Sequence, residues 1–249
     1  MPTVPTCTGE AEGEPVTWHL GRMAGFDIES TGIDPETARI VTACIVQVGG
    51  QQPTVAANWL TDVDGEEIPA GAAAVHGIST EKAHAEGVDL RLAVEEILGA
   101  LTQVILSGIP VVAMNARYDL TLLDREAQRY GFQPFPEAVV IDPFVIDKQV
   151  DTYRSGKRNL TALCEHYEVR LDAAHSADAD AVAACRVAWR QATRYPQLAA
   201  MTLDELHTAQ VGWAAEQAAS LQEHFRKKDP AAVVEGAWPL IPRQLEVSS

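Results

Sequence analysis

Two carboxylates on one face of an otherwise apolar strand constrain this chain more than any other feature. In Gly25-Phe26-Asp27-Ile28-Glu29-Ser30-Thr31-Gly32, Asp27 and Glu29 sit two residues apart. Strand geometry puts them on the same face, roughly 6.5–7 Å apart. Asp is depleted from strands, and a strand face with two acids needs solvent or a cation to receive them. The Ser-Thr-Gly that follows supplies a turn. On this octapeptide alone, a wet strand face and a metal-binding site are both open readings.

The 249 residues, 47% hydrophobic and 22% charged, are enough for a sizeable core and typical of a globular protein. A net charge of −16 argues against coating nucleic acid by bulk electrostatics, and leaves room for an enzyme that holds one strand end through a local basic patch. Cys7, Cys44, Cys164 and Cys185 show neither metal-type spacing nor a small secreted disulfide framework. There is no signal-like segment, and no apolar run approaches the ~18 residues that span a bilayer. The expectation is a soluble cytoplasmic protein.

Along the chain, residues 1–16 are rich in proline and glutamate and read as a flexible leader. Leu20–Ile28, Arg39–Val48 and Pro53–Leu60 read as an antiparallel three-strand meander. Residues 61–88 read as a loop with short helical turns. Asp89 caps a predicted helix whose stripe is Leu90, Val94, Ile97, Leu98, Leu101, Val104 and Ile105. Strands are predicted at Pro110–Met114 and Ala138–Ile141, with a helix over Tyr118–Tyr130 between them and Asp142-Pro143 opening another. Helices follow over Leu160–Tyr167, Ser176–Arg194 and Leu203–Phe225. The stripe Val211, Ala214, Ala218, Leu221 and Phe225 of the last one suits docking on the main domain or on another chain. This order predicts an α/β fold: a mixed sheet, antiparallel meander plus parallel strands, flanked by helices. The domain is expected over 17–195, a helical extension over 196–228 and a tail over 229–249.

Two more clusters add carboxylates. Asp119 follows a strand end at the start of a helix, where open α/β sheets build sites, although a first-turn acid complementing the helix dipole has the same address. In His175-Ser176-Ala177-Asp178-Ala179-Asp180, His175 and Asp180 would lie about 140° apart on one helix. They converge if His175 is in the preceding loop, Ser176 is the N-cap and Asp178 serves the dipole. A loop histidine bonded to backbone is the alternative. Four carboxylates from three elements, beside one imidazole, suit a chemical task. Such hard oxygen ligands select Mg²⁺ or Mn²⁺, two of which can hold a phosphodiester and activate water.

These motifs resemble the DEDDh (DnaQ-like) branch of the 3′-to-5′ exonucleases, which includes the proofreading subunit of bacterial replicative polymerase. The resemblance covers roughly residues 20–195 and rests on Phe-Asp-Ile-Glu-Ser-Thr-Gly at 26–32, Val-His-Gly-Ile at 75–78, Asn-Ala-x-Tyr-Asp at 115–119 and His-x-Ala-x-x-Asp at 175–180. It implies a ribonuclease-H-like fold, Asp27, Glu29, Asp119 and Asp180 as ligands of two divalent cations, and His175 as general base. Asp27 would bridge both ions. Glu29 and Asp180 would complete the ion that activates water, and Asp119 would serve the other. Ser30, Thr31 and Asn115 are expected near the terminal nucleotide. The sequence departs from the family pattern at Met114, where histidine is usual, and at Tyr118, where phenylalanine is usual.

The densest basic stretch near these acids is Lys148, Arg154, Lys157 and Arg158. These four residues are expected to track a substrate backbone, Lys157 and Arg158 being the pair whose neutralisation tests it, with a solvated linker as the alternative. Three functions are open: an exonuclease on the 3′ end of single-stranded or frayed DNA, the same chemistry on short RNA, and a non-catalytic replisome or repair adaptor. Partners to expect are a polymerase or a sliding clamp, and self-association through the 203–225 helix. Gln244-Leu245-Glu246-Val247 resembles clamp-binding motifs but lacks their terminal aromatic or leucine.

Overall fold

A computed structural model describes residues 17–171 and 176–243. His175, Cys7, the 1–16 leader and Gln244-Leu245-Glu246-Val247 therefore lie outside the described residues. In chain order the elements are β1 (Arg22–Ser30), β2 (Ile40–Gly49), β3 (Val55–Leu60), α1 (Ala70–His76), α2 (Thr80–Glu86), α3 (Leu90–Leu106), β4 (Val111–Val112), α4 (Ala116–Arg129), β5 (Val140–Ile141), α5 (Pro143–Val150), α6 (Leu160–His166), α7 (Ala177–Arg194), α8 (Pro196–Ala199) and α9 (Leu203–Arg226). The sheet order is β3-β2-β1-β4-β5. β1, β2 and β3 pair antiparallel, and β4 and β5 continue parallel to β1. This is the mixed sheet expected from the sequence.

Alternation along β1 divides the core. Ala24, Phe26 and Ile28 pack with α3 and α4, where Leu90, Val94, Ile97 and Leu101 supply the expected stripe. The opposite face carries Met23, Gly25, Asp27 and Glu29 and is covered by α7. On that face Met23 packs with Ala184, Cys185 and Ala188. Cys44 and Val46 of β2 pack there with Ala177 and Ala181. Asp27 and Glu29 thus face a helix and are half-buried. The Asp89 carboxylate caps α3 by accepting from the Leu92 N–H at 2.9 Å.

The parallel strands are shorter than their apolar runs because the chain leaves the ladder early. Asn115 takes a left-handed conformation, φ 61°, which turns the chain straight into α4.

Residues beyond α7 pack on the sheet's β5 edge. α9 turns Leu206, Gln210 and Ala218 inward, with Trp213 and Ala214 against the core. The expected stripe therefore splits. Ala214 and Ala218 dock, while Val211, Leu221 and Phe225 stay 40–46% exposed. The inward face is rotated because Gln210 is drawn in by hydrogen bonds with β5: its amide donates to the Val140 carbonyl (3.0 Å), and its Oε1 accepts from the Asp142 N–H (2.7 Å). Residues 229–243, read as a tail, also bond to the domain. The Ile241 N–H donates to Thr121 (2.9 Å) and the Arg243 guanidinium to Asp124 (2.8 Å). Among the described residues no helix is long and apolar enough to cross a membrane.

Candidate active site

Three elements bring the expected acids together. Asp27 and Glu29 come from β1, opposite Cys44 and Thr42 of β2. The ladder is irregular between Glu29 and Ser30, where the register skips one β2 residue. Such a bulge turns the strand end, here one residue past the second acid. Asp180 lies in the first turn of α7. That helix reaches β1 closely because Gly25 has no side chain: a Cβ there would sit 2.4 Å from the Ala181 carbonyl oxygen. One ligand oxygen each from Asp27, Glu29 and Asp180 lie within 4.8 Å of one another.

Asp119 joins through a backbone bond. The β1–β4 ladder ends at the Gly25–Val112 pair, so the next β1 amides on that side need another acceptor. The Ile28 N–H finds it in Asp119 Oδ1 at 3.0 Å. This bond pins the carboxylate between the two β1 acids along the strand.

Burial, together with Asp119, Asp180 and Glu29, pushes the Asp27 pKa well above the usual carboxylate range. Burial also raises Asp119, with Asp142 and Glu29 adding to it and the donated bonds from the Ile28 and Asp119 amides opposing it. A cation among these oxygens would remove the penalty. Nearby thiols offer no soft alternative, since burial pushes Cys44 and Cys185 up to about 12.

Asp142, read from sequence only as a cap for the helix after it, holds the site's scaffold. Its carboxylate accepts from Phe144 N–H (2.9 Å) at the start of α5, and from Asn115 and Ala116 N–H (2.9 and 3.0 Å) at the start of α4. The Trp238 indole donates to it at 3.2 Å. An acid placed after β5 caps the parallel neighbour's helix as well as its own. The signal available in sequence was an Asp directly following an apolar strand, which does not reveal the second helix.

The hydroxyls expected near a nucleotide are used to build the loop after β1. Ser30 Oγ donates to the Gly32 carbonyl (2.9 Å) and meets the Tyr118 hydroxyl at 2.5 Å. Thr31 Oγ1 accepts from the Arg39 N–H at 2.8 Å. Tyr118, where the family usually has phenylalanine, uses its hydroxyl to tie α4 to that loop, bonding the Gly32 carbonyl as well. Asn115 sits at the α4 N-cap.

Beside Glu29 a cleft of about 450 Å³ is walled by Asn58, Trp59, His76, Ile78, Lys82 and Asp178. Sequence reading singled out the His76 loop and missed Asn58 and Trp59, because a polar-aromatic pair in a strand carries no chemical signature. The Trp59 indole N–H is held by Glu96 at 2.9 Å.

The basic stretch needs a correction. Arg158 is not a free cation: it bonds Asp147, which is fully buried, and the carbonyls of Asp151 and Arg154 at 2.6 and 3.1 Å. Arg154 also pairs with Asp147, at 2.7 Å. A buried carboxylate must be paired, and it recruits both guanidiniums as structural posts. Lys157 is exposed.

A family model described as an exonuclease, RNase_T, matches residues 24–188. The 3′-5′ exonuclease DinG of Bacillus subtilis (strain 168) is 29% identical over 162 residues, covering 64% of this chain and 16% of that protein. Among solved structures, exonuclease I superposes with a TM-score of 0.62 at 18% identity, over 72% of this chain and 42% of that one. E. coli exonuclease I in complex with a dT13 oligonucleotide gives 0.58 over the same shares. The chain thus spans less than half the length of these relatives, and the structural likeness establishes the ribonuclease-H-like exonuclease fold. With the family model covering well over half of the chain, the chain belongs to the RNase_T exonuclease family, the DEDDh group whose motifs it carries.

Proposed function

We propose that the chain is a divalent-metal-dependent 3′-to-5′ exonuclease that removes nucleoside monophosphates from the 3′ end of single-stranded or frayed DNA, in proofreading, repair or processing. The observation that carries this reading is the convergence of Asp27, Glu29 and Asp180 oxygens within 4.8 Å. An all-carboxylate donor set, with Asp119 pinned beside it, fits Mg²⁺ or Mn²⁺ and not a soft metal. Asp27, Glu29, Asp119 and Asp180 would hold two such ions, which when bound lower the pKa of a water and stabilise a leaving oxygen.

The chain's own groups supply the rest. His175, directly before the α7 N-cap in sequence, takes the proton from the attacking water as general base. The cleft beside Glu29 takes the terminal nucleotide. There Trp59, fixed through Glu96, offers a flat apolar wall for a base, a mode of contact that tolerates any sequence. The loop built by Ser30, Thr31 and Tyr118 borders the scissile phosphate. DinG is a 3′-5′ exonuclease and exonuclease I binds oligonucleotides, which supports the polarity and the single-stranded substrate.

The test is a substrate panel. Strands of DNA, duplex DNA and RNA, each labelled at the 5′ end, are incubated with Mg²⁺ or Mn²⁺. The expected result is stepwise shortening of single-stranded DNA that is lost in Asp27→Asn. Faster shortening of RNA would move the substrate to RNA. Shortening that survives Asp27→Asn would remove the metal mechanism.

A further inference from the structure

Outside the carboxylate site, two cations, Arg117 and Lys148, border a second cavity. It has a volume of about 150 Å³ and lies between the start of α4, α5 and α9, bordered by Arg117, Asp142, Phe144, Lys148, Gln217 and Trp238. The Lys148 ammonium stands 4.9 Å from the Phe144 ring centroid. Among the described residues it has no carboxylate ion pair, unlike Arg154 and Arg158, which share Asp147. Its charged neighbours are mostly cations: burial, Arg158 and Arg117 hold its pKa below the ordinary lysine value, against a smaller opposing pull from Asp142. The Asp142 carboxylate is already committed to four donors. Arg117 reaches the cavity while donating to the Glu235 carbonyl.

Cations at an open cavity whose one lining acid, Asp142, is already held by four other donors favour an anion. The space is ample for a phosphate group. Its location fits a strand. β1, β4 and β5 are adjacent, so two strand spacings, ~10 Å, separate the β5 end from the strand that carries Asp27. A chain whose 3′ end enters the carboxylate site therefore passes within reach.

The geometry points to a phosphate subsite here: Lys148 and Arg117 receive a backbone phosphate of the nucleic acid strand upstream of the scissile bond, and α9 with Trp238 forms the outer wall. This rests on the exonuclease reading above. Of the basic stretch it singles out Lys148 as the backbone-tracking cation, and it brings Trp238 and the 214–221 part of α9 into substrate binding.

The experiment measures binding of a short 5′-fluorescein oligothymidylate by anisotropy in EDTA, across a salt series. Wild type is compared with Lys148→Gln, Lys148→Arg and, as an exposed control outside the cavity lining, Lys228→Gln. Lys148→Gln is expected to weaken binding about tenfold and to flatten the log–log salt slope by about 0.7, the loss of one single-strand phosphate contact. Lys148→Arg retains most of the slope, and Lys228→Gln matches wild type. Melting temperatures alongside confirm that each variant is folded. An unchanged slope in Lys148→Gln, or an equal loss in Lys228→Gln, overturns the subsite. Wild type that fails to bind the oligonucleotide also overturns the subsite, whereas the nuclease reading stands or falls separately on the metal-dependent shortening of DNA or RNA described above.

Discussion

At Gly25 the chain has no room for a side chain, since a Cβ would meet the Ala181 carbonyl carbon at 2.9 Å and Cys185 Sγ at 3.0 Å, besides the closer carbonyl oxygen. The neighbour of Ala181 is Asp180, so this close approach sets how far the α7 acid lies from the β1 acids. Gly25→Ala should cost at least about 2 kcal/mol, measured by urea unfolding, and should weaken Mn²⁺ binding by calorimetry. Wild-type metal affinity in a folded Gly25→Ala would show that the spacing is not critical. Asp27 gives a second residue-scale expectation. Its folded-state pKa is raised, so the metal-free folded state binds its proton more tightly than the unfolded chain. Stability therefore falls as pH rises from the ordinary carboxylate value of ~3.9 through the raised one. Near pH 8 without metal, Asp27→Asn should melt higher than wild type by at least about 2 °C, and Mn²⁺ should narrow or reverse the gap.

Between elements, the controlling contact is the Asp142 carboxylate, which caps α4 and α5 together and receives the Trp238 indole. Asp142→Ala leaves the Asn115, Ala116 and Phe144 amides without that acceptor and is expected to cost about 2–4 kcal/mol. It should also lower metal affinity, because α4 carries Asp119. The four acids were legible in sequence because each sits beside its own local marker: a strand turn, a strand end or a helix cap. The role of Asp142 toward α4 was not, since it arises only when β4 and β5 lie side by side. The pairing of Arg158 with Asp147 was hidden for the same reason. A basic residue in a loop reads as solvated until a buried acid such as Asp147 is seen to claim it.

Over the whole molecule, the C-terminal region is fastened to the catalytic sheet at several points. Trp238 is only 7% exposed within the core. The pairing of Arg243 with Asp124, aided by the Phe135 amide and Arg125, holds the Asp124 pKa below the usual carboxylate value against the opposing effect of its burial. That stabilisation is present above the ordinary aspartate pKa and is lost as pH falls through the lowered one. Trp238→Ala should cost about 3–5 kcal/mol in chemical denaturation. A loss below about 1 kcal/mol would show that the region is an appendage. The mixed sheet of meander and parallel strands could be read from the succession of apolar runs, whereas this fastening could not, because an apolar patch near a chain end does not say which surface receives it. The central claim is that carboxylates from β1, α4 and α7 form one metal-dependent nuclease site, and the most direct measurement is the rate of 3′-terminal mononucleotide release from single-stranded DNA as Mn²⁺ is titrated, for wild type and Asp180→Asn. The account predicts a saturable metal dependence, abolished by EDTA, and a loss of at least about a hundredfold in Asp180→Asn; release that persists in EDTA, or at the wild-type rate in Asp180→Asn, would contradict it.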